Sequence, residues 1–313
     1  MIRNELREKD NDIKAVLDKR YRYSDGEARS LVFKANRDIF NEWDESLGDK
    51  DALLNGSKVY SGAFKTDSHN NYTLETDCVN ADCAEVAENM VKEGLNVAIL
   101  NLASAYSPGG GYHRGTSAQE ESLCQTSTLS VSLYQFGDPK QSHVASYNIA
   151  NKGCAYPLDL NYGGIYSPGV VFFRNGKKKD YALRDNTFSC SIITVASLSN
   201  RDSNTYTNNQ RQYFKDDGYM TDEGREIESN KIRTIYRIAI ENGIDSLVLG
   251  AFGCGVFHLL PIEVAQLFND ILNEDEFKGN FKKVVFAILE RGKRGDPIGE
   301  VGKFKPFYDL FKK

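Results

Sequence analysis

From about residue 56 onward the apolar positions switch repeatedly between short buried runs and helical spacing. Tyr72 to Thr76 alternate and precede Cys78, Val79 and Asn80, which predicts a strand. Asp82 is then placed to cap a helix over 83–92, stopped at Gly94. Residues 97–103, Val-Ala-Ile-Leu-Asn-Leu-Ala, form a nearly continuous apolar run, the pattern of a strand buried on both faces. A glycine loop over 108–115 follows, then a helix over 119–133. Further strands are expected at 170–173 and 192–195. Residues 200–225 are rich in Asn, Asp, Ser, Thr and Gln and read as a long surface loop. A helix over 232–241 stops at Gly243, and a buried strand over 246–249 follows. A second glycine loop, 250–255, leads to Pro261, a good first residue for a helix over 261–272. The last strand is expected at 284–289, and residues 303–312 suit a closing helix. No internal repeat is visible.

Upstream the pattern differs. Residues 1–50 are charged and helical in character. Leu6, Ile13, Val16 and Leu17 suit one helical face, and Leu31, Val32, Ile39, Phe40 and Trp43 another. The expected organisation is an N-terminal helical extension, 1–50, and an α/β domain, 51–313. Alternating strands and helices with buried strands predict a helix–sheet–helix sandwich. Ligands of such open sheets sit at the carboxyl ends of strands. Both glycine loops fall at such ends.

Composition narrows the function. The chain has 313 residues, 40% hydrophobic and 27% charged, which is ordinary for a globular protein. A net charge of −5 argues against a sequence-independent grip on nucleic acid, so no direct duplex partner is expected. An anionic ligand remains open, because backbone N–H groups bind phosphate without Lys or Arg. No run of about 18 apolar residues exists, and the charged N-terminus lacks the apolar core of a secretory signal. The six cysteines are scattered, with no CxxC pair. They read as reduced thiols, with no metal and no cofactor implied. A cytoplasmic monomer is the expectation.

The first loop runs from Asn101-Leu102-Ala103-Ser104 through Gly109-Gly110-Gly111 to Gly115. It is neither a P-loop nor a dinucleotide fingerprint. Three adjacent glycines suggest that a ligand or another backbone passes very close; a flexible turn is the alternative. The second loop, Gly250-Ala251-Phe252-Gly253-Cys254-Gly255-Val256-Phe257, can turn several N–H groups towards an anion, or can reflect tight strand–helix packing. Cys254 is a poor nucleophile candidate, since no base is evident beside it. Gln119-Glu120-Glu121 opens the helix after the first loop. Acidic residues in a first turn complement the helix dipole. Beside a bound diphosphate a carboxyl could instead serve as a general acid, kept protonated by the negative field.

Gly109-Gly110-Gly111, seven residues, then Gln119-Glu120-Glu121 resembles the signature of poly(ADP-ribose) glycohydrolases. Asn101 to Ser104 and Gly250 to Phe257 resemble the bacterial-type, or microbial, branch of that family. The similarity runs from about Val79 to Leu289. It implies a three-layer α/β/α macrodomain with a mixed central sheet that binds ADP-ribose at one end. By resemblance, Gly109, Gly110 and Gly111 line the distal ribose and Glu120 binds its hydroxyls. Gly253, Cys254, Gly255 and Val256 cradle the diphosphate, and Phe257 packs near the distal ribose. Asn101 and Gln119 join these as substrate contacts. Glu121 would be the catalytic acid, protonating the departing ribose oxygen and then deprotonating water. Glu120 is not expected to share that task, because adjacent helical side chains leave the axis about 100° apart. Three sequence departures stand out, one of them His258-Leu259-Leu260 after Phe257, where the family commonly has polar residues. Leu198-Ser199-Asn200 replaces the family's usual Ala-Pro-Asn, and Gly169 follows Ser167-Pro168 where an acidic residue is common. The implied activity is cleavage of ribose–ribose bonds in poly(ADP-ribose), carried on modified protein. Removal of single ADP-ribose units and non-catalytic binding are the alternatives.

Overall fold

The computed structural model describes residues 11, 13, 14, 25–67, 70–201, 210–290 and 302–312. In chain order the elements are α1 (Asp25–Asn41), α2 (Lys50–Gly56), β1 (Lys58–Tyr60), β2 (Glu75–Val79), α3 (Cys83–Lys92), β3 (Val97–Leu102), α4 (Gln119–Thr126), α5 (Leu129–Tyr134), α6 (Ser142–Ala145), β4 (Gly164–Arg174), β5 (Leu183–Val195), α7 (Asp222–Glu241), β6 (Ser246–Leu249), α8 (Pro261–Leu272), β7 (Lys283–Ala287) and α9 (Phe304–Phe311). The strands form one mixed seven-stranded sheet in the order β1-β4-β5-β3-β6-β7-β2, the α/β class expected from the pattern. Among the described residues no helix is long and apolar enough to cross a membrane. The chain divides into two compact units, each assembled from separated segments.

The first unit comprises residues 1–59, 103–158 and 165–192. Helix α1 buries Ala28, Val32, Phe33, Ala35, Asn36, Ile39 and Phe40 along one face. Phe40 meets Phe173 edge-on at 5.5 Å, and Tyr134 meets Tyr147 at 4.5 Å. The single helix expected over 119–133 is in fact two, α4 and α5. The break has a tertiary cause. Ser127 is extended (φ −140°) and bridges Phe172 of β4. Thr128 N–H donates to the Val171 carbonyl at 3.0 Å, and Val171 N–H returns to Thr128 Oγ1 at 3.0 Å. These strand-like bonds replace the helical ones.

The second unit comprises residues 60–102, 159–164 and 193–313. Strands β3, β6, β7 and β2 are parallel neighbours, with Ile99 opposite Val248 and Val248 opposite Val285. Asp82 caps α3, accepting from Ala84 N–H at 2.9 Å as its position implied. Helix α7 starts at Asp222, ten residues before the expected 232, so the polar stretch 200–225 is not all loop; residues 202–209 of that stretch lie outside the described residues. Its first half hides Glu228 and Lys231 on the buried face, and these charges break the apolar spacing. Phe307 and Phe311 of α9 pack on Phe286 of β7 at 5.0 and 4.2 Å.

Candidate active site

The first unit carries the carboxylates. Glu120 and Glu121 open α4 and are 3% and 8% exposed. Glu121 accepts three hydrogen bonds. Gly111 N–H (2.8 Å) and Thr116 Oγ1 (2.9 Å) donate to Oε1, and Ala118 N–H (2.9 Å) donates to Oε2. The last bond is half of a capping box, since Ala118 has no side-chain acceptor to return it. Glu121 therefore does cap its helix, and the same carboxylate also ties down the glycine loop. Glu120 Oε2 accepts from Ser104 N–H at 2.7 Å.

The glycines are explained by what surrounds them. Gly110 has φ +57°, and a Cβ there would lie 2.6 Å from Glu121 Oε1 and 2.9 Å from Glu120 Oε2. A Cβ on Gly111 would meet Thr116 Oγ1 at 2.2 Å, and one on Gly109 (φ +71°) would meet Cys124 Sγ at 3.3 Å. The close neighbours are thus side chains, not another backbone. Both carboxylates converge on Gly110 although their Cα–Cβ bonds diverge around the helix. The divergence anticipated for Glu120 is undone by the length of the two side chains. Gln119 is half-buried beside them. Sequence reasoning missed Thr116 as a partner of Glu121 and gave Ser104 no role. Their nearness to the motif was the one signal available.

The second unit carries the other glycine loop, between β6 and α8. Among the described residues the N–H groups of Gly253, Gly255, Val256 and Phe257 donate to no protein acceptor. A run of such donors suits an anion. Gly253 (φ +71°) must lack a side chain, since a Cβ would meet Ser197 Oγ at 2.2 Å and Leu259 Cδ2 at 2.8 Å. Gly255 has open space on that side, with nothing within 4 Å. Val256 is 52% exposed. Cys254 is fully buried, its Sγ donates to the Phe252 carbonyl at 3.3 Å, and burial pushes its thiol well above the usual range. That agrees with setting it aside as a nucleophile. Asn200 N–H donates to the Phe257 carbonyl at 2.8 Å, so the segment after β5 braces the loop.

A buried charge supports this brace. Glu228 accepts from Ser197 Oγ (2.7 Å) and Leu198 N–H (2.9 Å). Burial pushes its carboxyl up to about 7, against the opposing pull of Lys231. Lys231, pushed down to about 8 by burial, donates to the Ala196 carbonyl at 2.7 Å. Asn101, at the end of β3, is fully buried and donates to Thr194 Oγ1 at 3.2 Å. Among the described residues no group of three His, Cys, Asp or Glu side chains is placed to hold a metal ion.

Residues 40–175 match the family model described as "Microbial-type PARG, catalytic domain". Comparison with curated protein sequences gives no match. Solved structures similar to this chain include the poly(ADP-ribose) glycohydrolase of Thermomonospora curvata bound to the inhibitor ADP-HPD. It is 23% identical, with a TM-score of 0.65 over 91% of this chain and 100% of that one. The glycohydrolase of Deinococcus radiodurans in complex with ADP-ribose is also 23% identical, with a TM-score of 0.61 over 84% and 97%. These likenesses establish a shared fold.

Proposed function

We propose that this chain, which matches the microbial-type PARG catalytic domain over residues 40–175, is a poly(ADP-ribose) glycohydrolase that releases ADP-ribose from the polymer. One observation carries the reading. Two nearly buried carboxylates close on Gly110 at the mouth of a glycine loop, within the matched segment. Among the described residues the N–H groups of residues 253, 255, 256 and 257 donate to no protein acceptor, and they supply what a diphosphate needs.

In the reaction, protonated Glu121 donates to the oxygen of the departing ribose as the glycosidic C–O bond breaks. An oxocarbenium-like centre develops at the anomeric carbon. Water attacks that carbon, and the ionised Glu121 takes the proton that the water loses. One residue serves in turn as acid and base, in place of the two separated carboxyls of most glycosidases. The partners of Glu121 bear on this. Gly111 and Ala118 present fixed N–H donors, whereas the Thr116 hydroxyl can turn and accept when Glu121 carries the proton. Glu120, held by Ser104 N–H, is left to bind ribose hydroxyls. All six cysteines are free thiols, which supports a reducing setting such as the cytoplasm, where the enzyme would act as a monomer on polymer carried by protein.

The test is incubation with poly(ADP-ribose) and, separately, with singly modified protein, quantifying free ADP-ribose. Release from polymer, reduced about 10²- to 10⁴-fold in Glu121→Gln, is the expected result. Release from singly modified protein alone would make the enzyme a mono-ADP-ribosyl hydrolase. Binding of ADP-ribose with no release from either would make it a reader.

A further inference from the structure

We infer that helix α1, which lies almost wholly before the segment matched by the family model, is a positioning element for the acid, acting through Asn36. The inference rests on the glycohydrolase reading. Asn36 is fully buried, and it bonds to Tyr112, Gln125 and Arg174, which lie 76, 89 and 138 positions away in the chain. Its Nδ2 donates to the Tyr112 hydroxyl at 2.9 Å and to the Gln125 carbonyl at 3.0 Å. Its Oδ1 accepts from Arg174 Nε at 2.6 Å. The orientation of the amide is unambiguous. A guanidinium can only donate and a carbonyl can only accept, so oxygen must face Arg174 and nitrogen must face Gln125.

The two groups that Asn36 joins are the two sides of the catalytic contact. Tyr112 directly follows Gly111, whose N–H binds Glu121 Oε1. Gln125 lies one turn along α4 from Glu121. Asn36 therefore holds the glycine loop against the helix that carries both carboxylates. A second tether is parallel to it. Arg29 Nε donates to the Gly115 carbonyl at 2.6 Å, and Gly115 approaches α1 so closely that a Cβ would lie 2.0 Å from the Gly26 carbonyl oxygen. Phe33 packs edge-on against Tyr112 at 5.1 Å. These bonds reach Tyr112, Gly115 and Gln125, the frame around the carboxylates, so the effect of α1 on the reaction passes through loop and helix position. A misplacement of about 1 Å can cost about 10²-fold in rate.

The experiment compares wild type, Asn36→Leu and Tyr112→Phe. The second variant removes one hydroxyl and keeps the ring packing, so it decides the question should Asn36→Leu fail to fold. Each is assayed for kcat and KM on poly(ADP-ribose) well below its melting temperature, and for backbone hydrogen exchange over residues 109–121 and 250–260. The expected result is a kcat reduced about 10- to 100-fold with KM little changed. Exchange should quicken over 109–121 and stay constant over 250–260. Wild-type kcat together with unchanged exchange in a folded Tyr112→Phe overturns the inference and leaves the glycohydrolase reading standing. A wild-type protein that releases nothing overturns that reading, and the exchange over 109–121 still decides whether α1 holds the loop.

Discussion

The substitution Gly110→Ala tests the link between the glycine loop and the acid most directly. Two penalties can be separated. The first is local: at φ +57° an L-residue costs roughly 1–2 kcal/mol relative to glycine. The second is steric. The new methyl would start 2.6 Å from Glu121 Oε1 and 2.9 Å from Glu120 Oε2. Ordinary contact requires those oxygens to retreat by close to an ångström. Oε1 cannot do so and keep both Gly111 N–H and Thr116 Oγ1 at hydrogen-bond distance. A displacement of that size corresponds to about a 100-fold loss of kcat, or about 2.7 kcal/mol in the barrier. Gly62→Ala isolates the first penalty, since Gly62 also has positive φ (+91°) but nothing within 4 Å. The assay is ADP-ribose release at saturating polymer, with thermal unfolding measured in parallel. Gly62→Ala should lose stability and keep its rate; Gly110→Ala should lose both. A folded Gly110→Ala enzyme turning over at the wild-type rate would refute the claim that the carboxylates fill the space above this glycine.

Three further outcomes are expected. Gly255→Val should fold normally, because its side chain meets open space, yet calorimetry should show weakened ADP-ribose binding; unchanged affinity would put the diphosphate elsewhere. Cys254→Ala should retain activity within about tenfold, since a buried thiol held well above its ordinary range contributes packing and not chemistry; a folded variant as inactive as Glu121→Gln would remove Glu121 from its role. His143 stacks on His113 at 3.7 Å, and burial, then His113 and Arg114, push it from 6.5 down to about 4. Its folded value is depressed, so its contribution to stability is present above about pH 6.5 and is lost as pH falls towards 4. The melting temperature of His143→Gln should decline less steeply than wild type across that window, and parallel curves would count against the assignment.

The fold was most legible where a local cap announced an element. Asp82 and Pro261 each mark a helix start that the structure reproduces, at Cys83–Lys92 and Pro261–Leu272. The failures occurred where distant parts of the chain decided the outcome. Ser127 and Thr128 have no local reason to leave a helix, but β4 offers them strand-like partners in Phe172 and Val171. The first half of α7 was not read as helix because Glu228 and Lys231 occupy buried positions where the periodicity needs apolar residues. Their burial is compensated by Ser197, Leu198 and Ala196, contacts that no window of sequence contains.

The same division runs through the site. The glycine triplet and the paired glutamates were visible because both are local, and glycines in a row signal that something comes close. The nearest protein neighbours of Gly110 and Gly111 are not another backbone but the side chains of Glu120, Glu121 and Thr116, residues within eleven positions of them. The triplet is therefore part of the carboxylates' own geometry. It lets Gly111 N–H reach Glu121 and lets two side chains that leave the helix in different directions meet at one point. Asn36 stayed hidden for the opposite reason. Its partners Tyr112 and Gln125 are 76 and 89 residues away, and an Asn among the apolar positions of an amphipathic helix reads locally as a flaw in the stripe. Once burial is known, that flaw becomes informative. A fully buried amide survives only if its donors and acceptor are used, and here the acceptor takes Arg174 of β4 while the donors hold the loop and the helix that frame the acid.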